Sequence, residues 1–476
     1  MLTKWPKCGR TGILLMLGLL PAIAGDHYLI RTQGNGNNIA AVAGHHGLKL
    51  VQVLGGSAGN VAVVEPQGNQ TAAQVLQSLQ SDPQIAGAEP DITVTLPEAA
   101  NSSALRHQPF NQTGVLSLLQ QLLGSLGTNH SSPIQVNGWT GYTNQAAAGI
   151  INLTQAQKFA TGNNVLIGFL DTGADFTHPV LAGSLVPGWD FTNNTPGGSA
   201  VATLNDLQST TNILDDMQST TNILDSNSEL VLTQSTTNIL DELQSTTNIL
   251  DQSTTNILDQ STTNILDSKP ADAYGHGTMV AGVIHLVAPR AKLMPLRTFT
   301  NDGGANISAI VAAIYYAIDH KVQVLNMSFS MTTASIELSK AITAANAANM
   351  IIVASAGNEG ANMTVYPAGL NNVIGVGSTN DYDQRSSFSN YGPVVTLAAP
   401  GEQIITTYPQ NRYAAGWGTS FSAPFVAGGA ALLSELKSHL NGTTTRLALQ
   451  QAAPIGQMLG AGRLDLFRAC SYEADR

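Results

Sequence analysis

The sequence predicts an α/β protein: a doubly wound parallel sheet preceded by a small α+β unit. Three observations carry that reading. Beyond about Ala146, apolar strand-like runs (165–170, 322–327, 350–354) alternate with helical runs (307–318, 336–348), the mark of crossover-linked parallel strands. Before Pro97 the shorter runs follow the order β-α-β-β-α-β, the split βαβ arrangement of a ferredoxin-like domain. Of 476 residues, 43% are apolar and only 11% charged, which supports packed cores and excludes a disordered polyelectrolyte.

From the start of the chain, Lys4, Lys7 and Arg10 precede an apolar run from Ile13 to Leu20, then Pro21 and Ala22-Ile23-Ala24. A basic start, a short apolar core and an A-x-A site define a secretory signal peptide over residues 1–24. The run is shorter than the ~20 residues that span a bilayer, so no stable membrane anchor is expected. The expected location is secreted, or periplasmic where the host has an outer membrane. Two cysteines, Cys8 and Cys470, exclude a disulfide scaffold and a cysteine zinc site.

Residues 26–97 form the small unit. Its strands are read at 28–30, 48–54, 61–64 and 92–96, and its helices at 38–46 and 71–80, where Val75, Leu76 and Leu79 share a face. Asp82-Pro83 ends the second helix. Residues 98–145 read as a linker rich in Asn, Ser, Gln and Gly. A Leu stripe from Val115 to Leu126 within it suggests a short surface helix. It carries no basic residue, which argues against a membrane role.

The larger unit, 146–470, is interrupted by an insert at 208–267. Gln-Ser-Thr-Thr-Asn-Ile-Leu-Asp occurs there six times, starting at Gln208, Gln218, Gln234, Gln244, Gln252 and Gln260. The 60-residue span has no Gly, Pro or aromatic residue, which excludes a glycine-turned calcium β-roll. It also holds nine acids and no base, so without it the net charge of −11 becomes −2. The acidity describes the insert, and a nucleic-acid partner is not expected. A solvated loop is the expectation.

Four motifs carry chemistry. Asp171 closes a strand in Phe-Leu-Asp-Thr-Gly; His276 opens a small-residue helix in Gly-His-Gly-Thr-Met; Ser420 lies in Gly-Thr-Ser-Phe-Ser-Ala-Pro before a helix read at 425–436; Asn358 lies in Ala-Gly-Asn-Glu-Gly after a strand. A serine hydroxyl is a weak nucleophile until an imidazole takes its proton, and that imidazole needs a carboxylate to fix its tautomer. The Asn358 amide suits a developing oxyanion, with the Ser420 amide as second donor.

The order Asp, His, Asn, Ser with these local sequences resembles the subtilisin-like serine proteases. The resemblance covers about 146–469, including Gly-Ala-Gly-Arg-Leu-Asp at 460–465, and residues 28–96 resemble the family's inhibitory propeptide. It implies a subtilisin-like fold and Asp171, His276 and Ser420 as a triad with Asn358 at the oxyanion. It further implies a substrate-pairing segment over Leu325–Ser330, with Ser328, Phe329, Ser330 and Gly357 at the groove. Protein or peptide substrates, and the chain's own propeptide as inhibitor, are the implied partners. No cofactor is implied.

Three departures qualify the carry-over. Ser330-Met331 stands for the family's Gly-Gly, Met279 for its second histidine, and Val180 for a calcium-binding Asp, so no metal is expected at that position. His178 nearby reads as a loop histidine or a metal ligand. Two rivals remain at this level: an inactive peptide-binding homologue, and a surface protein whose repeats are the functional part.

Overall fold

The structure, a computed structural model, describes residues 27–34, 38–96, 134–136, 138–199, 230–232, 273, 275–456 and 458–476. The signal peptide, the leucine stripe of the linker and the six repeats lie outside the described residues. Within the insert, the described strand Leu230–Leu232 pairs antiparallel with Ile134–Val136.

The first unit contains β1 (Tyr28–Thr32), α1 (Ile39–His45), β2 (Leu48–Val53), β3 (Val61–Pro66), α2 (Ala72–Gln80) and β4 (Ile85–Pro90). The antiparallel order β2-β3-β1-β4 is the split βαβ topology expected. Strand alternation gives the sheet two buried faces. Tyr28 and Ile30 pack on Ile39 and Leu79, while Leu29, Val61 and Val63 join the core of the second unit.

The expected fourth strand needs correction. Residues 85–90, Ile-Ala-Gly-Ala-Glu-Pro, have low strand propensity but take the edge place beside β1. The run at 92–96 leaves that sheet, and β5 (Thr93–Thr95) instead pairs antiparallel with β10 (Gly304–Asn306), far along the chain.

The second unit is built on an eight-stranded sheet. Its strands are β6 (Leu166–Asp171), β7 (Gly188–Asp190), β8 (Thr195–Gly197), β9 (Lys292–Arg297), β11 (Val324–Met327), β12 (Ile351–Ser355), β13 (Val373–Thr379) and β14 (Leu397–Pro400). The order is β14-β13-β12-β11-β6-β9-β7-β8, parallel throughout except for β8. One core lies between the sheet and α3 (His276–Val287) with α6 (Thr419–Leu436). The other lies beneath α4 (Ile307–Asp319) and α5 (Ile336–Ala347). The chain leaves β6 for β9 on one side and reaches β11 on the other. This switch point puts a crevice at the carboxyl end of β6, where Asp171 sits.

The antiparallel hairpin β15 (Ile404–Tyr408) and β16 (Arg412–Gly416) lies outside the main sheet and leads directly into α6. Packing begins upstream of Ala146: buried Tyr142 donates to the Gly282 carbonyl (2.8 Å) and lies beside Ile405 and Tyr413.

The first unit docks over α4 and α5. Glu89 accepts from Ser335 Oγ (2.7 Å) and from the amides of Ile336 (2.8 Å) and Glu337 (3.1 Å), capping α5. Asp91 accepts from the amide (2.9 Å) and hydroxyl (2.7 Å) of Ser308 at the start of α4. Burial holds the Asp91 carboxyl above the ordinary range, although its bonds with Ser308 pull the other way.

Candidate active site

Asp171 is fully buried at the end of β6, flanked by strands on both sides. Its Oδ1 accepts from the Thr172 amide (2.8 Å), which orients the carboxylate. His276 Nδ1 lies 2.8 Å from Oδ1 and 3.0 Å from Oδ2. A carboxylate only accepts, so Nδ1 carries the proton and Nε2 is the basic nitrogen. Gly277 makes this approach possible, because a Cβ there would sit 2.0 Å from the Gly173 carbonyl oxygen. The Gly277 amide donates to Thr172 Oγ1 (3.0 Å), tying the start of α3 to the end of β6.

Ser420 is the second residue of α6, which starts six residues before the helix read from sequence. Pro424 therefore falls in the second turn instead of near the first, and cannot donate to the Ser420 carbonyl. Ser328 Oγ donates to that carbonyl instead (2.9 Å). The Ser420 hydroxyl in turn donates to the Ser328 carbonyl (3.1 Å). The ring of the next residue, Phe421, lies 5.5 Å from the His276 imidazole, centroid to centroid. Asp171 and His276 are thus in direct contact, and Ser420 stands on the helix that packs against His276.

Asn358 Oδ1 accepts from the Thr419 amide (2.9 Å) and hydroxyl (2.8 Å). An amide whose oxygen faces a backbone N–H has its NH2 end turned away from it, and so Asn358 is a donor on the other side. The Gly357 amide donates to Thr419 Oγ1 (3.2 Å), a second tie between this loop and the start of α6. Gly357 takes φ 92°, and its Cβ would lie 2.6 Å from Asn390 Nδ2 and 3.3 Å from Ser330 Oγ.

Leu325–Ser330 is only partly a strand. β11 ends at Met327, and Ser328–Ser330 leave the sheet, Ser328 and Phe329 with their side chains buried. Asn326 Nδ2 donates to Ser328 Oγ (2.9 Å), extending the chain of bonds beneath Ser420. The sequence reading missed a second edge, β10, on which β5 lies with Val94 and Leu96 buried and the Leu96 amide donating to Gly303 (2.9 Å). Three residues, Gly-Ala-Asn, gave no periodicity from which to find it.

Both ring nitrogens of His178 have partners within the protein. Its Nε2 lies 3.0 Å from the Arg412 carbonyl and its Nδ1 accepts from the Val180 amide (3.3 Å), so no lone pair remains. Burial pushes its pKa down. Val180, without a side-chain oxygen, packs against apolar residues of the core.

The sheet is doubly wound, with Asp171 at a strand end and His276 and Ser420 at helix starts beside it. A profile of the subtilase family matches residues 162–468. The chain belongs to the subtilase family and has its subtilisin-like fold. It is 36% identical over 217 residues to a thermophilic serine proteinase of Bacillus sp. strain AK1, a match covering 43% of this chain and 54% of that protein. It is 35% identical over 219 residues to thermitase of Thermoactinomyces vulgaris, covering 43% of this chain and 78% of thermitase. The chain thus spans about half the length of the first relative. Among solved structures, fervidolysin of Fervidobacterium pennivorans, a keratinolytic enzyme related to subtilisin, superposes with a TM-score of 0.63 at 20% identity. That match covers 94% of this chain and 61% of fervidolysin, and shows the fold.

Proposed function

We propose that this chain is a secreted serine endopeptidase working through Asp171, His276 and Ser420. The observation that carries the reading is the Asp171–His276 contact, which leaves His276 Nε2 as a base beside the helix of Ser420. The Ser420 hydroxyl rotates from the Ser328 carbonyl to His276 and attacks the scissile carbonyl. The proton passes to Nε2, while Asn358 and the Ser420 amide receive the oxyanion. His276 then protonates the leaving amine, and water activated by the same nitrogen hydrolyses the acyl-enzyme.

The first unit, read as a propeptide, acts as inhibitor by occupying a groove edge. Support comes from β5, which lies on β10 as an extended peptide would, with main-chain pairing and alternate side chains buried. Maturation would cut between residues 97 and 146. A fluorophosphonate probe tests the enzyme reading: labelling at Ser420, lost in Ser420→Ala, is the expected result. A folded, processed protein that takes no label and hydrolyses no peptide would leave only a binding homologue.

A further inference from the structure

We propose that His178 is a positioning residue for the nucleophile, a buried strut that locks the β15–β16 hairpin leading to Ser420 against the loop leaving Asp171. The inference rests on the protease reading above, since it takes Ser420 as the nucleophile.

A two-stranded hairpin has little stability of its own and depends on outside ties. This one carries Ser420 eight residues beyond Arg412. Its inner strand is bonded to the helix of the base: Thr406 Oγ1 donates to the Met279 carbonyl (2.6 Å) and Thr407 Oγ1 to the Thr278 carbonyl (2.7 Å). The turn is tied to the acid's loop, because the Gln410 amide donates to Asp175 Oδ2 (2.8 Å). The Asp175 amide closes the ring by donating to Thr278 Oγ1 (3.0 Å). Loop, helix and hairpin thus meet in one closed set of bonds.

His178 adds the tie to the outgoing strand. A carbonyl only accepts, so Nε2–H donates to Arg412 O, and Nδ1 receives the Val180 amide. The imidazole is fully buried and edge-on to Tyr413, 5.6 Å between centroids. Asp175 on its own loop and His285 on α3 also face it electrostatically. Releasing Arg412 frees the strand that sets where α6 begins. An error of about 1 Å in a reacting group costs up to about a hundredfold in rate. Substrate contacts on Ser328–Ser330 and β10 belong to other elements, so the loss should fall on kcat.

Amide replacements separate this role from packing. Gln at 178 places its NH2 near the imidazole Nε2 and keeps the bond to Arg412, whereas Asn imitates Nδ1 and cannot reach. Mature His178→Phe, His178→Asn and His178→Gln enzymes are compared on a peptide anilide, well below each variant's melting midpoint. The rate of fluorophosphonate reaction is measured in parallel. The expected result is a kcat loss of about tenfold or more for Phe and Asn with KM within about twofold, and recovery to within about threefold for Gln. Equal losses in Gln and Asn, a loss wholly in KM, or no loss in any variant would overturn the proposal. If His178→Phe does not fold, the Gln–Asn comparison decides alone. An inactive, unlabelled parent would sink the protease reading and this proposal with it, a result distinct from an active parent indifferent to residue 178.

Discussion

Ser328 and Ser420 hold each other by two crossed bonds: each hydroxyl donates to the other's carbonyl, at 2.9 and 3.1 Å. The first bond exists because Pro424 has no N–H for the Ser420 carbonyl. Ser328→Ala should therefore orphan a buried carbonyl and cost about 1–3 kcal/mol of stability. A urea melt reads the loss. The same variant should also lower kcat, since the start of α6 loses its brace from the segment that follows β11.

Asn358 serves two ends. Its oxygen caps α6 at Thr419, and its NH2 is the proposed oxyanion donor. Asn358→Asp keeps the acceptor and removes the donor, while Asn358→Ala removes both. Each should lower kcat by about 10²–10³ on a peptide substrate. Only Asn358→Ala should also lose the helix cap, about 1 kcal/mol in a thermal or urea melt. Equal stability of the two variants would show that the cap contributes nothing.

What was legible in the sequence follows from the range of the forces. Asp171, His276 and Asn358 sit in short local motifs whose glycines and strand–helix boundaries are set by neighbours. Those were readable. The start of α6 was not, because a proline in a second turn ordinarily breaks a helix, and its remedy, Ser328, lies 92 residues away. The edge strand β4 was missed for a similar reason: poor strand formers are held by β1 and by the Glu89 cap on α5. The hairpin ties at Asp175 and His178 are side-chain bonds across more than 230 residues, with no trace in any periodicity.

Between the two units, Arg31 reaches buried Glu337 through Nε (2.8 Å) and Nη2 (2.7 Å), and Tyr315 through Nη2 (3.0 Å). Removing one partner of a buried ion pair costs about 3–5 kcal/mol. Lys340, 2.9 Å from Glu337, remains and should moderate the cost of Arg31→Ala. In a Ser420→Ala background, where the units stay joined if maturation is autocatalytic, hydrogen exchange at Ile336 and Glu337 should speed up. Unchanged protection at those amides would show that Glu89 and the apolar contacts hold the units together without Arg31.

Acid should destabilise the fold through His285, a part-buried imidazole on α3. Burial, with the neighbouring His178, pushes the His285 pKa down to about 4 from the usual 6.5. Between those values the unfolded chain binds the proton that the folded chain refuses, and stability rises with pH. The contribution is whole above pH 6.5 and lost as pH falls toward about 4, at most about 3 kcal/mol. The melting midpoint should therefore fall across this window, and His285→Gln should flatten the fall. Asp91 works in the opposite sense, because its raised pKa makes protonation easier in the folded protein. A profile equally steep in His285→Gln would move the cause elsewhere.

Chelation should leave the mature enzyme's thermal inactivation nearly unchanged. Calcium takes six to eight oxygens, drawn from carboxylates and loop carbonyls. In the subtilisin-like resemblance, an Asp after the first triad motif and a loop after the base's helix supply them. Here Val180 stands at the first position and packs against the apolar residues of the core. At the second, α3 ends at Val287, and Ala288–Ala291 turn tightly into β9, with the Ala291 amide bonded to Ala288 O and Arg290 to Thr161 O. Among the described residues, no group of three or more His, Cys, Asp or Glu side chains could hold a metal ion. Inactivation rates with excess EDTA and with added calcium should agree within about twofold, since binding at a saturated site would otherwise add RT ln(1 + [L]/Kd) to stability. A many-fold faster loss in EDTA, reversed by calcium, would place a site among other oxygens of this chain.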